Sequence, residues 1–153
     1  MSGISAYGTL LGVSPGMSSL SLTTMPSTWD YIGQLTNISG PSVAADSIDV
    51  TSHDSTGGHR QFVAGVIDGG DLSFEGNLLT AAAGDELMDL AEIRDNVCFY
   101  DKFPTAAGST GWAWLFAGAV NSFETQAPHD GKIGFTASVK LTGQPFMTST
   151  YAT

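Results

Sequence analysis

Three side chains able to ligate a metal, His53, Asp54 and His59, share one short stretch of the chain. Their spacing runs through Gly57 and Gly58 and matches no established zinc-ligand pattern, so the stretch reads as a solvated polar loop. Cys98 and His129 are a nucleophile and a base by type. Cys98, however, lies between Val97 and Phe99 in an apolar run, where a small buried thiol is the ordinary reading. The run Asp54-Ser55-Thr56-Gly57 departs by one inserted residue from the Asp-Thr-Gly turn of aspartic proteases. Asp68, Asp71 and Glu75 lack the alternating oxygen ligands of a calcium loop. Fifteen acids supply many carboxylate pairs and none stands out for glycoside chemistry. Neither a P-loop nor a dinucleotide fingerprint occurs. Trp29, Trp112 and Trp114 are residues of a sugar-stacking platform, but Trp112 and Trp114 share one face of a strand that is apolar on both sides. That places them in a core or a subunit interface. The residues therefore predict no catalytic, cofactor-binding or metal site.

The composition points elsewhere. Charged residues make up 13% of the 153, about half the ~25% of ordinary soluble domains. Fifteen acids against five Lys and Arg give a net charge of −10. That balance excludes nucleic-acid binding by phosphate neutralisation and argues against anionic membranes. Nineteen glycines with so few charges suit strands and turns. The single cysteine excludes an internal disulfide framework and fits a reducing compartment. No segment reaches the ~18 consecutive apolar residues of a membrane span, and no signal-peptide pattern opens the chain, so use without secretion is expected. A surface this poor in charge is typical of subunits buried against neighbours.

The elements follow from periodicity. Residues 1–27 carry no Asp, Glu, Lys or Arg and no hydrophobic period, and read as a flexible N-terminal arm ordered only against a partner. One strand is expected near 28–38 and a short one at 45–51, followed by a mobile loop at 52–60 and a short apolar strand at 61–67. Asp68-Gly69-Gly70 reads as a hairpin turn. Along 71–79, Asp71, Ser73, Glu75 and Asn77 alternate with Leu72, Phe74 and Leu78. The one helix is expected at 81–94, with Leu87, Leu90 and Ala91 on its buried face. Strands follow at 97–101, 112–123 and 132–141. In the last, Phe135 and Val139 fall on the apolar side. The sum is a mainly β chain: a sandwich or barrel of about seven strands with one flanking α-helix, a domain at 28–145 and a C-terminal tail at 146–153. Leu87, Leu90, Trp112, Trp114, Phe135 and Val139 are its expected packing residues.

Three stretches carry a resemblance. They are Ile38-Ser39-Gly40-Pro41 with Ala45–Thr51 and Asp54-Ser55; Arg60–Asn77, containing Arg-Gln-Phe-Val-Ala-Gly and Gly-Asp-Leu-Ser-Phe-Glu; and Phe116–Phe123 leading through Ala127-Pro128 and Lys132 to Ala137–Pro145. In this order and spacing the chain resembles the tail tube (major tail) protein of long-tailed bacteriophages over about residues 29–145. The stretch 1–27 has no counterpart, and His129-Asp130-Gly131 stands where the family often has an acidic partner after Ala-Pro.

The resemblance implies a structural virion protein, not an enzyme, that needs no cofactor. It implies subunits in hexameric rings stacked into a tube, assembled in the host cytoplasm around a tape-measure protein, with initiator and terminator proteins at the ends. DNA passes through the lumen during ejection without sequence-specific binding, and no membrane is involved. Six copies at −10 each make −60 per ring, and like charge lets a polyanion slide. It further implies that Asp71 and Glu75 face the lumen, and that His53, Asp54, Gly57, Gly58, His59 and Arg60 form a loop contacting the next ring. A tube protein of a related phage-like particle or secretion system fits the same residues. A monomeric carbohydrate-binding β-sandwich and a hydrolase with an undisclosed cleft are the competing classes.

Overall fold

The computed structural model describes residues 6–14, 29–78, 88–92, 94–104 and 111–149. Nine strands form two sheets: β1 Leu10–Ser14, β2 Asp30–Ile32, β3 Leu35–Ser39, β4 Ala44–Asp49, β5 Phe62–Asp68, β6 Asp71–Asn77, β7 Val97–Lys102, β8 Ala113–Gln126 and β9 Gly134–Thr148. Seven pair antiparallel in the order β2-β1-β7-β8-β9-β6-β3, and β4 pairs with β5 alone. A helical turn at 88–92 precedes β7.

The two edge strands of the large sheet are neighbours in sequence. Only Gly33 and Gln34 separate β2 from β3. Three residue steps span at most about 11 Å, whereas the edges of a flat seven-stranded sheet lie about 29 Å apart. The sheet must therefore roll until its edges meet, which encloses a core. Gln34, with φ of 60°, makes the corner. The single strand expected over 28–38 is thus two short strands serving opposite edges, with Ile32 turned inward and Tyr31 outward.

The inner face is continuous across the sheet. Leu11 and Val13 of β1, Phe99 of β7, Phe116 of β8, Phe135 and Val139 of β9 and Phe74 of β6 are all buried in one cluster. Phe99 stacks on Phe116 at 5.6 Å between ring centroids, and Phe74 meets Phe135 edge-on at 6.3 Å. The alternation expected for β6 is present, with Leu72 and Phe74 buried and Asp71, Ser73 and Glu75 exposed.

Four expectations are corrected. Within the arm expected at 1–27, Leu10–Ser14 is an interior strand between β2 and β7, with Leu11 fully buried. Five residues containing Gly12 and Ser14 are too few to display a period, but paired on both sides they complete the wall. The tail expected from 146 is strand as far as Thr148. Gly143, with φ of 74°, and Pro145 look like breakers in the sequence. Gly143 instead accommodates the irregular register opposite Leu115/Ala117, and Pro145 lies beyond the last β6 pairing at Lys140, where its missing N–H costs no ladder bond. Trp112, expected in a core or a subunit interface, is outside the subunit's core: it is 50% exposed because it precedes β8 and lies past the core end of the β7–β8 ladder. Finally, Asp68-Gly69-Gly70 joins strands of different sheets, a corner rather than a hairpin turn. A Cβ on Gly70, whose φ is 73°, would collide with the Ser42 carbonyl oxygen, so this close crossing requires glycine.

Leu87 lies outside the described residues. Leu90 is buried in the main cluster and Ala91 packs against it, which fastens the helical turn to the sheet. Leu90→Ala should cost about 2–5 kcal/mol in chemical denaturation. A loss well below 1 kcal/mol would show that the helix contributes little to the fold.

Candidate functional site

Strand register builds a polar face on the outside of the sheet. Across β3, β6, β9 and β8 one row reads Ser39, Ser73, Ser138, Ser122 and the next Asn37, Glu75, Thr136, Glu124. The Ser122 and Ser138 hydroxyls are 2.8 Å apart and hydrogen-bonded. Glu75 and Glu124 flank Thr136 from opposite strands, about 10 Å apart at the usual strand spacing. At one end Lys140 sits between two acids, donating to Asp68 at 3.1 and 3.2 Å and lying 3.6 Å from Asp71. The Gly70 amide, and then the Lys140 ammonium, hold the Asp68 carboxyl below its usual range, and the hydrogen bond to Asp68 raises Lys140. Asp71 therefore shares a cation, whereas Glu75 and Glu124 are exposed and make no ion pair among the described residues. Glu124 is not apparent from sequence because the irregular register between Val120 and Ser122 shifts the phase of β8.

The second feature is the β4–β5 ribbon. It stands apart from the seven-stranded sheet, and every residue of β4 is exposed. It nevertheless carries several large apolar side chains: Ile48, Phe62 and Val63 are exposed, as are Val66 at 80% and Ile67 at 66%. Successive residues point to opposite faces, so both faces of the ribbon are apolar. An isolated two-stranded ribbon is marginal in water, and exposed side chains of this kind mark a surface that another molecule covers. Thr51 closes the far end by donating its hydroxyl and its amide to Asp49, which lowers the Asp49 carboxyl. Beyond it lies the loop with His53 and Asp54, a 3-10 turn at Thr56–Gly58 with Gly57 and Gly58 in the left-handed region, then His59 and Arg60.

The third feature is a buried acid. Asp101 follows Val97 and Phe99 on the inner face of β7, paired with Leu11 on one side and Trp114 on the other. It is 0% exposed, and neither carboxylate oxygen has a hydrogen-bond partner among the described residues. It lines a cavity of about 430 Å³ together with Thr9, Thr36, Asn37 and Phe103. Burial pushes its carboxyl up to about 6. Cys98 is buried, with its thiol raised by that burial, while His129 is exposed and 2.7 Å from Asp130, so the two do not meet as a dyad. Among the described residues no three His, Cys, Asp or Glu side chains converge as metal ligands.

A model of the lambda phage tail tube protein family matches residues 16–148. The chain belongs to that family. The same fold recurs among solved structures. The tail of an empty gene transfer agent particle with C6 symmetry is 20% identical, with a TM-score of 0.67 over 91% of this chain and 94% of that one. A protein of the native gene transfer agent virion is 18% identical, with a TM-score of 0.70 over 95% and 99%. The SPP1 tail tube is 11% identical, with a TM-score of 0.64 over 95% and 78%. No curated protein sequence matches significantly. This tail tube protein is thus a structural component of the tail of a phage-like particle, and its rolled sheet is the family's fold. No helix among its described residues is long and apolar enough to cross a membrane.

In this tail tube protein Asp71 and Glu75 share the polar outer face, and His53, Asp54, Gly57, Gly58, His59 and Arg60 gather at the far end of the ribbon, well separated along the chain from that face. Phe135 and Val139 lie in the core and Trp114 packs against it.

Proposed function

We propose that copies of this chain assemble through the β4–β5 ribbon into stacked six-membered rings, forming a tail tube whose lumen is lined by the β3-β6-β9-β8 face and through which DNA passes. The observation that carries this reading is the ribbon, whose two apolar faces find no cover among the described residues. The loop at its tip, His53–Arg60, reaches the neighbouring ring. The lumen face has the chemistry a DNA conduit requires: serines and threonine for hydration, and Glu75 and Glu124 to repel phosphates. A tape-measure protein occupies the tube during assembly, and initiator and terminator proteins bound its length. Size-exclusion chromatography with negative-stain microscopy tests assembly. Rings or tubes are expected on concentration or seeding, and a strictly monomeric species under both conditions would contradict the reading.

Charge reversal tests the lumen. Asp71→Lys with Glu75→Lys should leave the subunit folded, because both side chains are exposed, although a lysine at 71 sets a like charge opposite Lys140 and costs up to about 1 kcal/mol. Wild-type tubes should leave double-stranded DNA in the supernatant on sedimentation. Variant tubes should carry it down, with release as salt is raised. The assignment fails if variant tubes ignore DNA at low salt, or if a reconstruction puts both side chains on the outer wall.

A further inference from the structure

The Asp101 carboxylate occupies a position that the pattern of β7 reserves for an apolar side chain. Val97 and Phe99 precede it on the inner face, and its cross-strand neighbours Leu11 and Trp114 are apolar. Two hydroxyls of the lining are committed elsewhere, Thr9 to the Ala6 carbonyl at 2.8 Å and Thr36 to the Glu75 carbonyl at 3.2 Å, and the Asn37 amide, also in the lining, makes no hydrogen bond to Asp101. Tyr7 is the other titratable side chain of the lining, and no Lys, Arg or His contributes to it. A carboxylate buried without a cationic partner is costly. A guanidinium is the side chain whose planar fork matches a carboxylate and which keeps its charge when buried.

Arg60 is the one Lys or Arg between residues 43 and 68, the segment holding the ribbon and its tip. It is exposed and makes no ion pair among the described residues. Eight residue steps lead from it to the corner at Asp68, about 26 Å of ribbon. The ribbon that must be covered by another copy therefore carries one cation outward, and the body of the chain holds one buried anion beside an open cavity.

We propose that the Asp101 cavity is a receptor for a basic side chain of a second copy of the chain, and that Arg60 is that side chain. This rests on the tube reading above and adds to it a specific contact. The cavity volume, about 430 Å³, is of the size that ordinary ligand pockets have. Asp101 is a positioning residue for assembly, and its charge is a cost to the isolated subunit that the second copy offsets.

The experiment uses the full chain, with Asp101→Asn, Arg60→Gln and the double variant. Critical concentration for assembly is read by sedimentation and microscopy, and melting of the unassembled subunit is read at pH 5 and pH 7.5. Each single variant should raise the critical concentration about thirtyfold or more, and the double variant should be no worse than the worse single. The unassembled wild type should lose stability as pH rises through the window from the ordinary carboxylate range to about 6. There the folded carboxyl still holds a proton that the unfolded chain has released. Asp101→Asn should lack that loss and melt at or above wild type at pH 7.5, although it assembles less well. Opposite signs on the two readouts are the signature of a receptor. Tubes from Arg60→Gln at wild-type concentrations overturn the assignment while leaving the tube reading standing. So do additive single effects, or a melt of Asp101→Asn that falls at pH 7.5. Assembly that depends on Asp101 but not on Arg60, and that methylguanidinium promotes, assigns the cavity to a free cation and overturns the role of Arg60. A wild type that stays monomeric overturns both readings together.

Discussion

Val66→Asp combined with Ile67→Asp should abolish tube formation while leaving a folded subunit. These two residues lie on opposite faces of β5 and are among the most exposed apolar side chains among the described residues. Covering a side chain of this size is worth about 1.5–3 kcal/mol, and a carboxylate in its place brings a desolvation cost as well. Two such losses raise the critical concentration at least about a hundredfold. The subunit itself does not bury either residue, so its melting temperature should stay near that of wild type, as for other exposed substitutions. Gel filtration should give a monomer peak at concentrations where wild type forms tubes. Tubes of normal yield would show that the ribbon is not the joining element. A collapsed melting transition would show that the ribbon packs on its own subunit.

Leu11→Ala should remove a large share of the subunit's stability. Leu11 is fully buried and belongs to β1, which is hydrogen-bonded between β2 and β7. Large-to-small truncation at such a site costs about 2–5 kcal/mol, against a typical total of 5–15. Removing residues 1–14 takes away the strand that connects β2 to the rest of the sheet, so the shortened chain should show no cooperative melting transition. A truncated chain that melts like wild type would mean that the sheet closes without β1. Circular dichroism under heating distinguishes the two outcomes.

How much of this was legible beforehand depended on what each side chain reports. In β6 and β9 the two faces meet different media, core and water, so Leu72 and Phe74 against Asp71 and Glu75 display a clean period of two. The ribbon shows the limit of the same signal. The segment 61–67 reads as a short apolar strand, but hydropathy does not say whether its cover comes from the same chain or another. Asp101 ends an apolar run and looks in sequence like the first residue turning to solvent. Only the pairing with Leu11 and Trp114 reveals that it turns inward. Glu124 was concealed by a register irregularity, which changes phase without changing composition. Leu10–Ser14 is too short for periodicity, and its role follows from pairing on both sides rather than from its own residues.

The meeting of the sheet's edges at Gly33 and Gln34 bears on how subunits avoid joining in the wrong way. An open sheet of seven strands offers two long rows of unpaired backbone groups, and at the concentrations of a virion protein those rows recruit foreign strands. Here the edges are strands of three and five residues turned toward one corner. Among the described residues, backbone left free for strand addition is confined largely to the ribbon. That ribbon carries Asp46, Asp49 and Asp68, so two ribbons approaching edge to edge meet like charges. Subunits built this way resist fibre-like aggregation while they wait, and their joining is restricted to surfaces shaped to receive a ribbon.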